Sequence, residues 1–105
     1  MGLPTDFDAF AASLQADHPP ADWPEGLRAL WYDGKGDWEA AHELAQDMPG
    51  AMGSWIHAYL HRKEGDRWNA GYWYDRAGRD FPKTTLREEW EILVRQMLAS
   101  GTGRY

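Results

Sequence analysis

The chain has 105 residues, a length that suits one domain with a modest core and leaves no room for a second domain. It contains no cysteine, which excludes disulfides, thiolate metal sites and cysteine nucleophiles, whereas seven Trp and five Tyr supply apolar surface for packing. We therefore predict a single domain over residues 1–105. A cytoplasmic location is expected, because the sequence shows neither a signal-peptide pattern nor a run of ~20 apolar residues that could span a membrane.

The net charge of -6 is distributed unevenly along the chain. Residues 1–54 carry ten acidic and two basic side chains, residues 62–83 carry four acidic and six basic ones, and residues 84–105 are balanced. This split would suit head-to-tail contacts between protein surfaces or an anionic ligand at the basic segment, although a solvated, interleaved charged surface is the simpler explanation. A nucleic-acid partner is not expected, because the total charge is negative and acids dilute the basic segment.

Capping residues and breaker residues divide the chain into six predicted helices. The expected ranges are about 6–15, 22–33, 37–47, 54–64, 66–77 and 85–99. Each range begins at or just after a residue that can accept a hydrogen bond from the first turn of a helix. These residues are Thr5, Asp22, Asp37, Ser54, Asp66 and Thr85. No alternating strand pattern occurs, so the sequence predicts an all-α fold.

An internal repeat relates the second and third predicted helices to the fourth and fifth. A shift of 29 residues superposes Ala29 on Ala58, Gly36-Asp37 on Gly65-Asp66, and Ala41 on Ala70. The alanines let paired helices approach closely, and each Gly-Asp pair ends one helix and caps the next. We therefore predict two stacked antiparallel hairpins over about residues 24–82, flanked by an N-terminal helix and by a capping helix at about 85–99.

The second hairpin resembles a known type of helical repeat. After Gly65-Asp66, the spacing of small, aromatic, small and proline residues is Ala70-x3-Tyr74-x2-Ala77-x4-Pro82. This spacing is similar to that of tetratricopeptide and Sel1-like repeats, and Ala58 matches the small residue of their first helix. The resemblance implies stacked hairpins and a protein-binding role, although the period is 29 rather than about 34 residues and His61 replaces a usual Tyr. The segment HAYLHRKEGD…NAGYWYDRAGR also resembles a family of small, mostly bacterial, uncharacterised proteins.

Three histidines are candidates for a metal site. His57 and His61 lie one turn apart on the predicted fourth helix, and a hinge near Ala51 would bring His42 level with His61. Three neutral imidazoles with an open position would suit zinc or another divalent metal. Carboxylates that could ligate the metal or transfer protons lie nearby in the sequence: Glu43, Asp47 and Glu64. A His-x-x-x-His pair alone is a weak motif, and structural hydrogen bonds to neighbouring groups would also account for it.

The predicted fifth helix carries a run of aromatic residues. Trp68, Tyr72 and Arg76 fall on one of its faces, and Trp73 falls on the neighbouring face. These rings can pack into the core or form an exposed patch, where Arg76 could stack on a ring or pair with an anion. Both roles are open on the sequence alone.

The sequence therefore predicts a small helical-repeat interaction module that mediates protein–protein contact or self-association. Its expected binding residues are Trp68, Tyr72, Trp73 and Arg76. The alternative is a metal-dependent or imidazole-based enzyme, or a small-ligand-binding protein, that uses His42, His57 and His61. Neither a nucleic-acid partner nor a membrane is expected.

Overall fold

The structure is a computed structural model that describes residues 3–102, with the side chains of residues 3–100. These residues form six α-helices and no strand, which confirms the predicted all-α fold. The helices are α1 (Phe7–Ser13), α2 (Glu25–Gly34), α3 (Trp38–Gln46), α4 (Gly50–Lys63), α5 (Arg67–Ala77) and α6 (Leu86–Thr102). The prediction of one domain over residues 1–105 includes residues 1–2 and 103–105, which lie outside the described part of the chain.

Two helical hairpins form the centre of the molecule. Helix α2 pairs with α3, helix α4 pairs with α5, and α3 also packs on α4, so the hairpins stack side by side. Helix α6 packs across α2 and α4, and α1 packs on α6. The small residues predicted at the helix crossings are all fully buried: Ala29, Ala41, Ala58 and Ala70. Side chains no larger than a methyl group allow this close approach of the helices.

The turns inside the two hairpins have the same hydrogen-bond geometry. The N–H of Asp37 donates to the carbonyl of Tyr32 at 2.9 Å, and the N–H of Asp66 donates to the carbonyl of His61 at 2.9 Å. Each aspartate then caps the next helix through its side chain. The residue before each aspartate has a positive φ, which glycine adopts without strain: 87° at Gly36 and 90° at Gly65. The repeat in the sequence is therefore a repeat of one turn-and-cap structure.

Several predicted helix boundaries were wrong by a few residues, and one of them is the end of α1, which lies at Ser13 rather than near Gln15. The cap of α1 is Asp6 rather than Thr5, because the Asp6 carboxylate reaches the N–H of Ala9 at 2.9 Å. The N-cap of α2 is Pro24 rather than Asp22, and a proline side chain has no acceptor for a capping hydrogen bond. Helix α6 continues to Thr102 instead of ending near Ala99. A single glycine costs a helix only about 1 kcal/mol, so Gly101 does not end it.

The largest error concerns the start of α4, which begins at Gly50 instead of Ser54. The sequence pattern around Pro49 indicated a loop that would include Gly53. Gly53 is instead buried in the first turn of α4, where an added Cβ would clash with the carbonyl oxygen of Met48. Glycine at this position permits a tight connection rather than ending a helix. The connection between α3 and α4 therefore comes earlier in the chain than predicted.

A buried carboxylate joins the second hairpin to α6. Glu89 is 2% exposed, and its Oε2 atom accepts hydrogen bonds from the Tyr74 hydroxyl at 2.6 Å and from Trp55 Nε1 at 3.1 Å. Its Oε1 atom accepts from Arg62 Nη1 at 2.7 Å. Helices α4, α5 and α6 thus meet at one fully paired charge.

None of the helices in the described part of the chain is long and apolar enough to cross a membrane. The cytoplasmic location stays a prediction.

Candidate functional site

The three candidate histidines converge between α3 and α4. The Nε2 atom of His42 lies 3.0 Å from the Nε2 atom of His57. The ring centroid of His61 lies 5.2 Å from that of His42 and 4.8 Å from that of His57. One ring nitrogen from each residue lies within 4.8 Å of the others, so the group could hold a metal ion. We call these three residues the histidine cluster.

The pairing within the cluster differs from the sequence prediction. His42 was expected level with His61, but its direct partner is His57. Because α4 begins at Gly50 rather than Ser54, the hinge lies closer to α3, and the residue opposite His42 moves one turn toward the start of α4. His61 still reaches the cluster, because it lies one turn farther along the same helix face.

Two tryptophans enclose the histidine cluster. The Trp38 ring stacks on His42 with a centroid separation of 4.8 Å, and its Nε1 donates to the carbonyl of Leu60 at 2.8 Å. The Trp73 ring stacks on His57 with a centroid separation of 4.2 Å. His57 is 7% exposed. Each of the two paired imidazoles is therefore covered on one face by an indole.

Burial keeps the paired imidazoles neutral. The pKa of His57 is lowered to about 4, first by burial and then by the neighbouring His42 and His61. The pKa of His42 is also lowered, first by burial and then by His61, against smaller raising effects of Glu64 and Glu43. Neutral imidazole is the form that ligates metals. The 3.0 Å contact itself requires one ring to donate and the other to accept, which neutral rings can do.

Glu64 is the carboxylate that contacts the cluster. Its Oε2 atom lies 2.7 Å from Nδ1 of His61. Because a carboxylate can only accept, Nδ1 of His61 carries the proton and Nε2 is the nitrogen left for another partner. Of the other two carboxylates named from the sequence, Glu43 acts on His42 electrostatically, and Asp47 is exposed at the end of α3.

The aromatic run on α5 divides between two environments. Trp68 is 80% exposed and Tyr72 is 47% exposed, whereas Trp73 is half-buried against His57. Arg76 is exposed, and its guanidinium lies 5.8 Å from the ring centroid of Tyr72. We call Trp68, Tyr72 and Arg76 the aromatic face.

The contact of Trp73 with the histidine cluster was missed from the sequence, although a signal was present. His57 and Trp73 are each eight residues from Gly65, the turn residue of the hairpin. Residues at equal distances from the turn of an antiparallel hairpin lie side by side. Trp38 precedes His42 by four residues, so the two side chains share one face of α3.

A cleft of about 570 Å³ lies elsewhere, beside the loop between α5 and α6. Its lining includes Trp55, Tyr74 and Glu89, and no member of the histidine cluster lines it. The imidazoles are therefore not the catalytic groups of this cleft. The enzyme alternative gains no support from it.

No family model matches the chain, and no curated protein or solved structure matches it either. The resemblance to tetratricopeptide and Sel1-like repeats stays a prediction.

Proposed function

We propose that this chain binds one divalent transition-metal ion at the histidine cluster and that zinc is the leading candidate. The observation that supports this most strongly is the 3.0 Å separation of Nε2 of His42 and Nε2 of His57, with His61 in reach. Tetrahedral zinc with bonds of about 2.0–2.1 Å holds its nitrogen ligands about 3.3–3.4 Å apart. The first two imidazoles need to separate by only about 0.3–0.4 Å to accept such an ion.

The chemistry of the donors sets the class of metal. Three imidazoles, with no thiolate in the chain, suit zinc, copper and nickel, whereas magnesium and calcium prefer a shell of oxygen ligands. The low pKa of His57 removes most proton competition at neutral pH. The three protein ligands leave one tetrahedral position for water or for a ligand from outside the chain.

A bound metal would connect the two hairpins. His42 lies on α3 of the first hairpin, whereas His57 and His61 lie on α4 of the second. The ion would therefore hold the hairpins together, and it would stabilise the folded chain by mass action.

A zinc titration tests the proposal with protein purified without a histidine tag. Free zinc at 100 times its dissociation constant should raise the free energy of unfolding by about 2.7 kcal/mol. For a domain of this size, that corresponds to a rise in melting temperature of roughly 10 °C or more. His57→Ala and His61→Tyr should lose most of this rise. The control is His18→Ala, because His18 is exposed in the turn after α1, outside the cluster.

Calorimetry on the same four proteins gives the stoichiometry. We expect one ion per chain in the parent and in His18→Ala. A loss of zinc binding in His57→Ala could result from misfolding alone. His61→Tyr is the second cluster variant for this reason, since it replaces one aromatic ring by another and should keep the fold. Equal and negligible thermal shifts in the parent and both cluster variants would overturn the proposal.

The aromatic face supports a second function, which is association with a protein surface. Trp68 is 80% exposed, and indoles that are buried on binding contribute much of the energy of protein interfaces. A second copy of the chain is the partner that the charges favour. Residues 1–54 carry a net charge of -8, while Arg76 and its basic neighbours Arg67 and Arg79 are exposed on or beside α5.

Solution mass against concentration tests this second function. The parent should associate as its concentration rises, and the double variant Trp68→Ser, Tyr72→Ser should remain a monomer with unchanged helicity. Ile92→Ser is a matched control, because Ile92 is another exposed apolar residue, on α6. A parent that remains monomeric at every concentration would contradict self-association. If Ile92→Ser loses association as fully as the double variant does, the aromatic face is not the specific contact surface.

A further inference from the structure

The C-cap residues of α2 and α4 carry opposite charges although the turns that follow them are alike. Lys35 is the C-cap residue of α2, and Glu64 is the C-cap residue of α4, 29 residues later. Lys35 donates from Nζ to the carbonyls of Leu14 and Ala16 at 2.8 and 3.2 Å. Glu64 instead contacts the side chain of His61.

A carboxylate is the wrong charge for the end of a helix. The C-terminus of an α-helix carries partial negative charge, so cations such as Lys35 are favoured there and anions are disfavoured. The rest of the last turn of α4 follows this rule with His61, Arg62 and Lys63. Glu64 therefore gives no favourable interaction with the helix dipole at this position. The interaction that its side chain makes is the contact with His61.

We infer that Glu64 is a positioning residue of the proposed metal site, a role that rests on the proposed function. Its Oε2 atom, 2.7 Å from Nδ1, fixes the ring orientation and the tautomer of His61. The proton is held on Nδ1, so the lone pair of Nε2 is available to the metal without prior proton transfer. The carboxylate also offsets part of the charge of a divalent ion that is bound by three neutral rings.

The neighbouring acidic residue is not available for the same task. Asp66 caps α5, and its two carboxylate oxygens accept from the backbone N–H and the side-chain amide of Asn69 at 3.1 and 2.7 Å. Glu64 is thus the carboxylate that orients His61, and Asp66 is committed to the turn.

Zinc affinities of three variants test the inference. Glu64→Gln should weaken zinc binding by roughly 10–100-fold, the usual effect of removing a carboxylate that orients a ligating histidine. Glu64→Lys, which copies the first hairpin, should weaken binding at least as much while the metal-free protein stays as stable as the parent or becomes more stable. Glu43→Gln is the control for loss of nearby charge, because Glu43 acts on His42 without a hydrogen bond to the cluster. Its affinity should stay within about threefold of the parent value.

Long-range proton–nitrogen NMR on the metal-free parent provides a readout that needs no metal. His61 should carry its proton on Nδ1, and the Glu64→Gln variant should show a mixture of the two tautomers. Zinc binding by the parent together with equal affinity in Glu64→Gln would overturn the inference and leave the proposed function intact. A His61 ring that is protonated on Nε2 in the parent would also overturn it. Absence of zinc binding in the parent itself would overturn the proposed function, and the inference with it.

Discussion

Replacing Glu89 by alanine should lower the free energy of unfolding by about 3–5 kcal/mol. The carboxylate is 2% exposed and accepts hydrogen bonds from Arg62, Tyr74 and Trp55. Removal of one partner of a buried ion pair leaves the other charge unpaired, which costs about 3–5 kcal/mol. The two neutral donors each lose a bond worth about 1 kcal/mol. Arg62 keeps its bond to the carbonyl of Thr84 and its side chain is 15% exposed, so the ion-pair cost lies at the low end of its range and the total stays at about 5 kcal/mol.

Urea denaturation of the parent and variants measures this cost. Glu91→Ala is the matched control, because Glu91 forms an exposed ion pair with Arg95 one turn away on the same helix, and its loss should cost less than about 1 kcal/mol. Tyr74→Phe removes a single donor from Glu89 and should cost about 1–2 kcal/mol. A Glu89→Ala variant no less stable than Glu91→Ala would refute the claim that α4, α5 and α6 meet at this carboxylate.

Three further predictions concern pH, packing and glycine. The pKa of His57 is about 4 in the folded chain against 6.5 in the unfolded chain, so the unfolded state binds more protons between these values. The metal-free protein should therefore lose up to about 3 kcal/mol of stability as pH falls from 6.5 to 4, and His57→Gln should flatten this dependence in urea titrations across that range. Ala58→Leu should overpack the hairpin crossing and lower the free energy of unfolding by about 1–3 kcal/mol, so an unchanged urea midpoint would contradict the crossing. Gly71→Ala should raise the melting temperature by adding about 0.5–1 kcal/mol, because a Cβ there meets open space, whereas Gly53→Ala should lower it by clashing with the Met48 carbonyl.

The turns and caps could be predicted because every interaction in them is local. The Gly-Asp turn, the cap by Asp66 and the capping box of α6 each involve residues within five positions of one another. In the capping box, Thr85 N–H donates to Glu88 at 2.8 Å, and Glu88 N–H donates to Thr85 Oγ1 at 3.0 Å. A sequence contains all the information that such contacts need.

The start of α4 could not be predicted from local preference. Pro49 and the glycines that follow it favour a loop in isolation, but packing against Met48 places Gly53 inside the helix. This error changed the predicted partner of His42 by one turn. The presence of three converging histidines was still predicted, because His57 and His61 share a face of α4 in either register.

The hydrogen-bond partners of the buried carboxylates could not be predicted, because they come from other helices. Glu89 lies three residues after Leu86 and four before Leu93, so it falls on the buried face of α6 and could have been noticed there. Its partners come from α4 and α5, and no spacing in the sequence identifies them. Asp33 is a similar case, since it accepts from Tyr59 at 2.6 Å across the hairpin boundary.

Zinc-edge X-ray absorption spectroscopy on the zinc-loaded chain tests the central proposal most directly. The spectrum should show a first shell at about 2.0–2.1 Å with the multiple-scattering pattern of three imidazoles, and two imidazoles after His57→Ala. His18→Ala should leave the spectrum unchanged. A shell made of oxygen ligands, or an imidazole count that does not change in His57→Ala, would contradict a metal site at the histidine cluster.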